Sequence, residues 1–168
     1  MSAIRLAGPD DGPAIWAVLE PVIRAGDTYA IETDIGRKNA LAYWTSARAY
    51  VFEEDGAVLG TYYIKPNQRG GGAHVCNCGY ITAQGAEGRG IARAMLAHSL
   101  SEAERLGYLA MQFNFVLQSN ARAVNTWKRA GFSIIGRQPQ AFLHPTQGYV
   151  DALMMHRFLG AENDLEDG

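Results

Sequence analysis

The sequence predicts a mixed α/β fold in which about seven strands form one central twisted sheet flanked by four main helices. Three observations lead to this prediction. Short β-rich runs and runs at helical spacing are mixed along residues 3–159. An Asp55-Gly56 turn joins two of the β-rich runs as a hairpin. Residues 74–117 are typical of strand, glycine loop, helix and strand, so their two strands should be parallel.

The composition indicates one folded domain over residues 1–159, because 168 residues that are 48% hydrophobic can bury a single core. Residues 160–168 are acidic and are expected to be disordered. No nucleic-acid partner is expected, since 15 basic residues against 17 acidic ones supply no basic excess. No membrane association is expected either, because no apolar run approaches the roughly 18 residues of a membrane span. The amino-terminal residues lack the apolar core of a signal peptide. The two cysteines, Cys76 and Cys78, are too close together to link distant segments, so a reducing cytoplasm is the expected location.

The first half of the chain should begin with a strand over residues 3–7. A helix should follow the turn at residues 8–11, kink or restart at Pro21, and end at Gly26. A second helix, capped by Thr33 or Asp34, is expected to carry Leu41 and Trp44. The hairpin strands then occupy residues 50–54 and 58–65.

The second half should contain strands at residues 74–82 and 109–117, with a helix over 91–106 between them. A short helix over residues 120–130 should end at Gly131, which can take the left-handed conformation wanted there. Strands at 132–136 and 150–158 should follow, separated by a loop from Pro139 to Gly148. Two cysteines and four scattered histidines lack metal-ligand spacing, so no metal is expected.

A glycine loop precedes the helix at residue 91 and predicts a phosphate site. Gly85, Gly88 and Gly90 let main-chain N–H groups converge, and the helix adds its positive amino-terminal end. A mononucleotide loop would need Gly-Lys-Ser/Thr, and a dinucleotide loop would need a third glycine where Arg93 stands. The remaining interpretation is a main-chain cradle for a pyrophosphate, with Ile91 buried against the sheet.

Two blocks carry a resemblance to a known family. Residues 87–92 read Glu-Gly-Arg-Gly-Ile-Ala, and residues 120–132 follow the pattern Asn-x-x-Ala-x-x-x-aromatic-x-x-x-Gly-Phe. Both blocks resemble those of the GCN5-related N-acetyltransferases (GNAT family), and the resemblance covers essentially residues 3–159. It implies the GNAT fold with a parallel, splayed pair of strands 4 and 5, and acetyl-CoA as the co-substrate.

The resemblance also implies which residues bind acetyl-CoA. They belong to the end of strand 4, to the glycine loop and to the second block: Thr82, Glu87, Gly88, Arg89, Gly90, Ile91, Ala92, Asn120 and Trp127. Two positions depart from the family pattern. Glu87 replaces the usual Gln or Arg and brings a carboxylate near the pyrophosphate. Trp127 replaces a tyrosine that usually protonates the leaving thiolate, so the general acid is open, with water or Tyr149 as candidates.

Residues 58–67, 76–80 and 113–116 further resemble members of the family that acetylate proline-like imino acids. This resemblance implies that Asn77, Tyr80 and Asn114 serve catalysis and acceptor binding.

The residues themselves leave two questions about these side chains open. Asn77 and Asn114 could instead form a structural pair, since a buried amide needs a partner. Asn77 and Tyr80 face opposite sides of a regular strand, so a bulge near Gly79 would be needed to bring both into one site.

The sequence therefore predicts an N-acetyltransferase that moves the acetyl group of acetyl-CoA to a small-molecule amine, either an amino acid or a proline-like imino acid. A CoA-binding regulatory module that has lost turnover is one alternative. An enzyme that acetylates protein amino termini or lysines is another. Apolar strand edges leave a homodimer open.

Overall fold

The computed structural model describes residues 1–160 and confirms the mixed α/β fold. The main elements, in chain order, are β1 Ser2–Leu6, α1 Gly12–Ala25, α2 Arg37–Thr45, β2 Arg48–Glu54, β3 Ala57–Pro66, β4 Val75–Thr82, α3 Ile91–Arg105, β5 Ala110–Leu117, α4 Ala121–Arg129, β6 Ser133–His144 and β7 Gly148–Phe158. The seven strands have the order β1-β2-β3-β4-β5-β7-β6 in one sheet. β4 and β5 are parallel, as predicted. The β1–β2, β2–β3, β5–β7 and β6–β7 pairs are antiparallel.

The chain divides into two compact units, of which the first comprises Met1–Lys65 and Gly79–Ser99. Its core consists of buried side chains from α1, α2 and three strands: Ile15, Val18, Leu19, Ile23, Ala40, Trp44, Ala49, Val51, Tyr63 and Ile81. The first four of these residues all belong to α1, and they recur at the spacing of a helix. Burial of this apolar surface is therefore what orients α1 and α2 against the sheet.

The ends of α1 and α2 agree with the sequence in part. α1 ends at Gly26, which has φ 66°, as predicted. The expected restart at Pro21 was wrong, because α1 continues through it as one helix. Leu19 and Ile23, on either side of Pro21, are buried, and their burial offsets the hydrogen bond that proline cannot make. The predicted cap at Thr33 or Asp34 was also wrong, since α2 begins after Gly36 without a side-chain cap.

The β2–β3 hairpin forms at the predicted turn. Asp55 has φ 49° and Gly56 has φ 82°. Two successive left-handed residues make the turn type whose twist matches that of paired antiparallel strands. The prediction succeeded because this turn is specified by two adjacent residues.

The second unit comprises Pro66–Cys78 and the chain from Leu100 onward. Its aromatic core forms where α4 packs on β5. The Phe113 ring stacks on Phe132 with 4.4 Å between centroids, and Trp127 lies 4.8 Å from Phe113. Gly131, with φ 89°, ends α4 as predicted.

The predicted loop from Pro139 to Gly148 was wrong. β6 extends to His144, and only residues 145–147 connect it to β7. β6 is an edge strand, where a proline without an N–H group is tolerated. The register also shifts between Gln138 and Phe142, and the N–H of Gln140 donates to Asp151 Oδ1 at 2.9 Å. This bulge accommodates Pro139 and allows the strand to continue.

Residues 160–168 were predicted to be disordered. Residues 161–168 lie outside the described residues. Among residues 1–160, no helix combines the length and the apolar character that crossing a bilayer requires.

Gly79 on β4 provides a test of the packing around the first unit's core. A Cβ atom at this position would lie 2.6 Å from Tyr63 Cε1 and 3.0 Å from its hydroxyl oxygen. Gly79→Ala must displace a buried aromatic ring, so we expect it to lower the free energy of unfolding by about 1–3 kcal/mol. Urea denaturation followed by circular dichroism measures this.

Gly36→Ala is the matched control, because Gly36 has φ −74° and a Cβ there would meet no atom within 4 Å. It should leave the urea midpoint nearly unchanged. Equal midpoints for the two variants would show that Tyr63 can move aside freely.

Candidate active site

The glycine loop exposes its main chain. Gly85, Gly88 and Gly90 have φ angles of 84°, 77° and 81°, a region that other residues rarely adopt. The N–H of Ala83 donates to Leu59 O on β3 at 2.8 Å, and the N–H of Ala86 donates back to Ala83 O at 3.0 Å. The loop is therefore anchored to β3 at its start and turns outward through its glycines. Such a backbone is suited to binding an anion through N–H groups.

α3 begins directly after this loop. The N–H of Ala94 donates to Gly90 O at 2.9 Å, so the preceding N–H groups of the first turn have no partner within the helix. Ile91 is buried, as predicted, and lies against Gly60 of β3. A Cβ at Gly60 would lie only 3.0 Å from Ile91 Cγ2 and from Met95 Cε. Gly60 thus allows the amino-terminal turn of α3 to pack close to the sheet.

Two charged side chains of the loop already have partners. Glu87 Oε2 accepts the N–H of Gly85 at 2.7 Å. Arg89 forms an ion pair with Glu54 of β2, and both side chains are partly exposed. The Glu87 carboxylate therefore occupies one of the N–H groups that would serve an anion, and Arg89 is directed toward Glu54.

The side chain of Tyr80 on β4 lies on the α3 face of the first unit. Its ring stacks on Tyr62 with 5.6 Å between centroids, and its hydroxyl is hydrogen-bonded to Ser99 Oγ at 2.7 Å. Ser99 is fully buried and donates to Leu96 O at 2.8 Å. These contacts direct the phenol of Tyr80 into the protein, and a part for Tyr80 in catalysis stays a prediction.

The main chain of Tyr80 is bound by a residue that the sequence did not single out. The Tyr29 hydroxyl accepts the N–H of Tyr80 at 2.9 Å and donates to the carbonyl of Tyr80 at 3.0 Å. Three residues later, the N–H of Ala83 points to β3. Because successive N–H groups of a strand alternate in direction, the N–H of Tyr80 points to the other edge of β4. Tyr29 lies between α1 and α2, where no periodic pattern could have indicated its role.

The ring of Tyr29 is held by a buried tryptophan. It packs edge-on against Trp44 with 5.9 Å between centroids. Trp44 Nε1 donates to Thr61 Oγ1 at 3.0 Å, and this hydroxyl donates to Tyr50 O at 2.8 Å. The Tyr29 hydroxyl is therefore fixed through a chain of contacts that reaches β2 and β3.

In the second unit, Asn77 lies where the β4–β5 pairing ends. The registered pairs are Val75 with Ala110 and Cys76 with Met111. The next residue, Asn77, is buried, and its Nδ2 donates to Gln112 O on β5 at 2.9 Å. A side-chain amide thus continues the contact between the two strands beyond their last registered pair.

Asn114 lies on β5 in a bulge between Phe113 and Val116, where the pairing with β7 shifts. Its side chain is exposed; Nδ2 donates to Asn67 Oδ1 at 2.6 Å, and Oδ1 accepts Gln112 Nε2 at 3.1 Å. Asn77 and Asn114 therefore take different partners. Asn67 and Gln112 were missed by sequence reasoning, although both lie within or beside the segments used for the resemblance. We call Asn67, Gln112 and Asn114 the amide cluster.

A histidine lies beside this cluster in the sheet. The register places His156 of β7 opposite Gln112 of β5, so their side chains share one face. Burial lowers the pKa of His156 below its ordinary value. Burial therefore favours the neutral form of the imidazole, which can accept a proton.

Asn120 and Trp127 have structural roles in α4. Asn120 Oδ1 accepts the N–H of Ala123 at 3.2 Å and caps the helix, while Trp127 packs on Phe113 and Phe132. Their contact with acetyl-CoA stays a prediction, as does that of Thr82 and of the exposed Ala92. Within residues 1–160, no group of three or more His, Cys, Asp or Glu side chains is arranged to hold a metal ion.

An open groove of about 640 Å³ in the first unit lies elsewhere, along α1, α2 and the strands beside them. Its lining includes Leu6, Ile15, Leu41 and Ala49, and none of the predicted site residues. The groove therefore does not mark the site that the sequence indicated.

The acetyltransferase (GNAT) family pattern matches residues 21–132. N-acetyltransferase aca1 of Schizosaccharomyces pombe is 33% identical over 112 residues, which are 66% of this chain and 54% of that protein. The chain thus spans about half the length of this curated relative.

Solved structures are also similar to this chain. A GCN5-related N-acetyltransferase from Kribbella flavida is 38% identical, with a TM-score of 0.90 over 94% of this chain and 98% of that one. A phosphinothricin acetyltransferase from Sinorhizobium meliloti, solved with acetyl-CoA, shares the fold at 18% identity, with a TM-score of 0.83 over 98% of this chain and 92% of that one.

The Asn77 bridge predicts a loss of stability on substitution. Asn77→Ala leaves the carbonyl of Gln112 without this donor, so we expect the free energy of unfolding to fall by about 1–3 kcal/mol. Chemical denaturation measures the change. Asn125→Ala, at an exposed site on α4, is the control and should change stability by less than about 0.5 kcal/mol. An unchanged midpoint for Asn77→Ala would mean that the bridge contributes nothing to the fold.

Proposed function

The chain belongs to the acetyltransferase (GNAT) family, and from this premise we propose that it transfers the acetyl group of acetyl-CoA to a small-molecule amine. The acceptor class that we propose is an amino acid or a proline-like imino acid. We also propose that residues 1–159 form one acetyltransferase domain. The Kribbella flavida structure supports the domain proposal, because the similarity extends over nearly the whole of both chains.

The glycine loop supports acetyl-CoA as the donor. Its main-chain N–H groups and the first turn of α3 offer hydrogen-bond donors and a positive dipole to a pyrophosphate. We propose Gly88, Gly90, Ile91 and Ala92 as its main-chain contacts. Arg89 is paired with Glu54 and contributes only if that pair opens.

The amide cluster is the observation that carries the acceptor proposal. Three side-chain amides, those of Asn67, Gln112 and Asn114, are linked on β5 and the segment after β3. Amides offer both donors and acceptors without a fixed charge. They can therefore bind a carboxylate and an amine of the same small molecule, which is the pattern that an amino or imino acid presents.

The proposed reaction is direct attack. The neutral amine adds to the thioester carbonyl and forms the new C–N bond. The C–S bond then breaks, the amine nitrogen gives up one proton, and the departing thiolate takes up one proton from water. The N–H of Tyr80 lies on the edge of β4 that faces away from β3, where it can stabilise the developing oxyanion. His156, neutral and opposite Gln112, is a candidate to take the amine proton.

Two alternatives keep a specific observation in their favour. The Glu87 carboxylate inside the loop and Trp127 in place of a tyrosine favour a CoA-binding module without turnover. An enzyme acting on protein amines is the second alternative. The strand conformation of β6 up to His144 favours it, because a strand there leaves no long loop that could fold over the acceptor site. The expected cytoplasmic location and a homodimer stay predictions.

Thiol release tests the proposal directly. The protein is incubated with acetyl-CoA and azetidine-2-carboxylate, L-proline, primary amino acids or a peptide amine, and free CoA thiol is measured. We expect release with the amino or imino acids. Asn114→Ala should slow it about 10- to 100-fold, because a bond to a charged acceptor group is worth about 1.5–3 kcal/mol. CoA affinity should change little.

Binding of acetyl-CoA without thiol release for any acceptor would establish the non-catalytic alternative. Release with the peptide amine alone would establish the protein acetyltransferase. Either result overturns the proposed acceptor class.

Glu87 provides a separate test of the donor site. Glu87→Gln removes a negative charge that lies in the loop, so we expect CoA to bind about fivefold more tightly, from roughly 1 kcal/mol of relieved repulsion near a protein surface. Calorimetric titration at low salt measures this, and the gain should shrink as salt is added. Asp10→Asn, at an exposed position before α1, removes the same charge elsewhere and should leave the affinity unchanged.

A further inference from the structure

The Tyr29 hydroxyl occupies both polar groups of Tyr80 at an edge of β4. It accepts one hydrogen bond from the N–H at 2.9 Å and donates one to the carbonyl at 3.0 Å. The phenol has a single proton. Since one lone pair of its oxygen accepts the N–H of Tyr80, the proton is directed at the carbonyl of Tyr80. Both residues belong to the first unit.

The same N–H is the donor that the proposed function assigns to the thioester oxygen, so the inference rests on that function. An oxygen that reaches this N–H must replace the Tyr29 hydroxyl as its acceptor. The phenol then loses an accepted bond but keeps its proton. The thioester oxygen, bound at the N–H in place of the hydroxyl, would be a new acceptor for that proton.

We propose that Tyr29 is a catalytic residue that supplies the second hydrogen bond to the oxyanion, beside the N–H of Tyr80. As the amine adds, negative charge develops on the carbonyl oxygen, and a hydrogen bond to an ionised oxygen is stronger than one to a neutral carbonyl. The phenolic proton therefore turns from the Tyr80 carbonyl to the oxyanion. Because the new bond strengthens only as charge develops, it lowers the barrier more than it tightens binding.

The surroundings of Tyr29 keep its hydroxyl near this position. The ring packs against Trp44, which is itself anchored to Thr61 Oγ1 at 3.0 Å. Trp44 and Thr61 are almost fully buried. These contacts hold the ring of Tyr29 beside the main chain of Tyr80, and preorganisation of this kind is what makes an oxyanion donor effective.

Tyr29→Phe tests the proposal in the full chain, with two measurements. The first is turnover with the best acceptor, where we expect a fall of about 100-fold with the dissociation constant of acetyl-CoA changed by less than about threefold. The second is the infrared carbonyl stretch of a bound, ¹³C-labelled acetyl-CoA analogue in which a methylene replaces the sulfur. We expect a lower frequency in the unchanged protein than in Tyr29→Phe, because two donors polarise the carbonyl more than one.

Tyr43→Phe is the matched control. It removes the same atom from an exposed ring on α2 that packs edge-on against Tyr63. Turnover and the carbonyl frequency should both stay as in the unchanged protein.

The outcomes separate the explanations. Tighter binding of acetyl-CoA with undiminished turnover would show that Tyr29 only obstructs the site, and it would overturn the proposal. Equal carbonyl frequencies in the two proteins, with a lower melting temperature for Tyr29→Phe, would show a structural role and would also overturn it.

The infrared measurement needs no acceptor, so it distinguishes the two proposals. A carbonyl shift with no thiol release would retain Tyr29 as an oxyanion donor while rejecting the proposed acceptors. Failure of the analogue to bind at all would overturn both proposals.

Discussion

The edge of β4 is the constraint on which the candidate site depends. A strand that parts from its neighbour leaves main-chain N–H and carbonyl groups that must find other partners, at a cost of about 1–3 kcal/mol for each buried group that does not. In the second unit, Asn77 meets this demand after two registered pairs by bridging to Gln112 O with its side chain. In the first unit, Tyr29 meets it at Tyr80 with one hydroxyl. Both solutions use uncharged polar groups, so neither places a buried charge at this edge.

Glycine serves this protein in two physically different ways, and only one of them is visible in a sequence motif. Gly85, Gly88 and Gly90 adopt positive φ, and their spacing before a helix is recognisable. Gly60 and Gly79 lie inside strands, where glycine is otherwise unfavourable. They are needed because α3 and the ring of Tyr63 approach too closely for a Cβ. Their reason lies in residues far away in the chain, so no local pattern could reveal it.

The same distinction explains how far the sequence could predict the structure. The Asp55-Gly56 hairpin, the parallel strands around α3, and Gly26 and Gly131 at helix ends were predicted correctly, because each depends on neighbouring residues. The loop at Pro139 was wrong, because β6 pairs with β7 through a bulge, and that pairing is a property of the sheet. Tyr29 was missed because it lies outside any periodic segment. Asn77 and Asn114 were recognised as unusual amides, but residue type alone could not show that one bridges strands and the other belongs to an exposed cluster.

The side-chain charges of the glycine loop and of the amide cluster suit the ligand that is proposed for each. Acetyl-CoA carries its own negative charges, and a main-chain cradle can hold them whatever the side chains are, which explains how Glu87 can occupy the loop at all. An amino or imino acid carries both signs of charge, so a lysine or carboxylate beside it would favour one end and repel the other. The amide cluster avoids this conflict. His156, opposite Gln112, is consistent with the same proposal. Burial lowers its pKa and so favours the neutral imidazole, which can accept a proton from an acceptor amine.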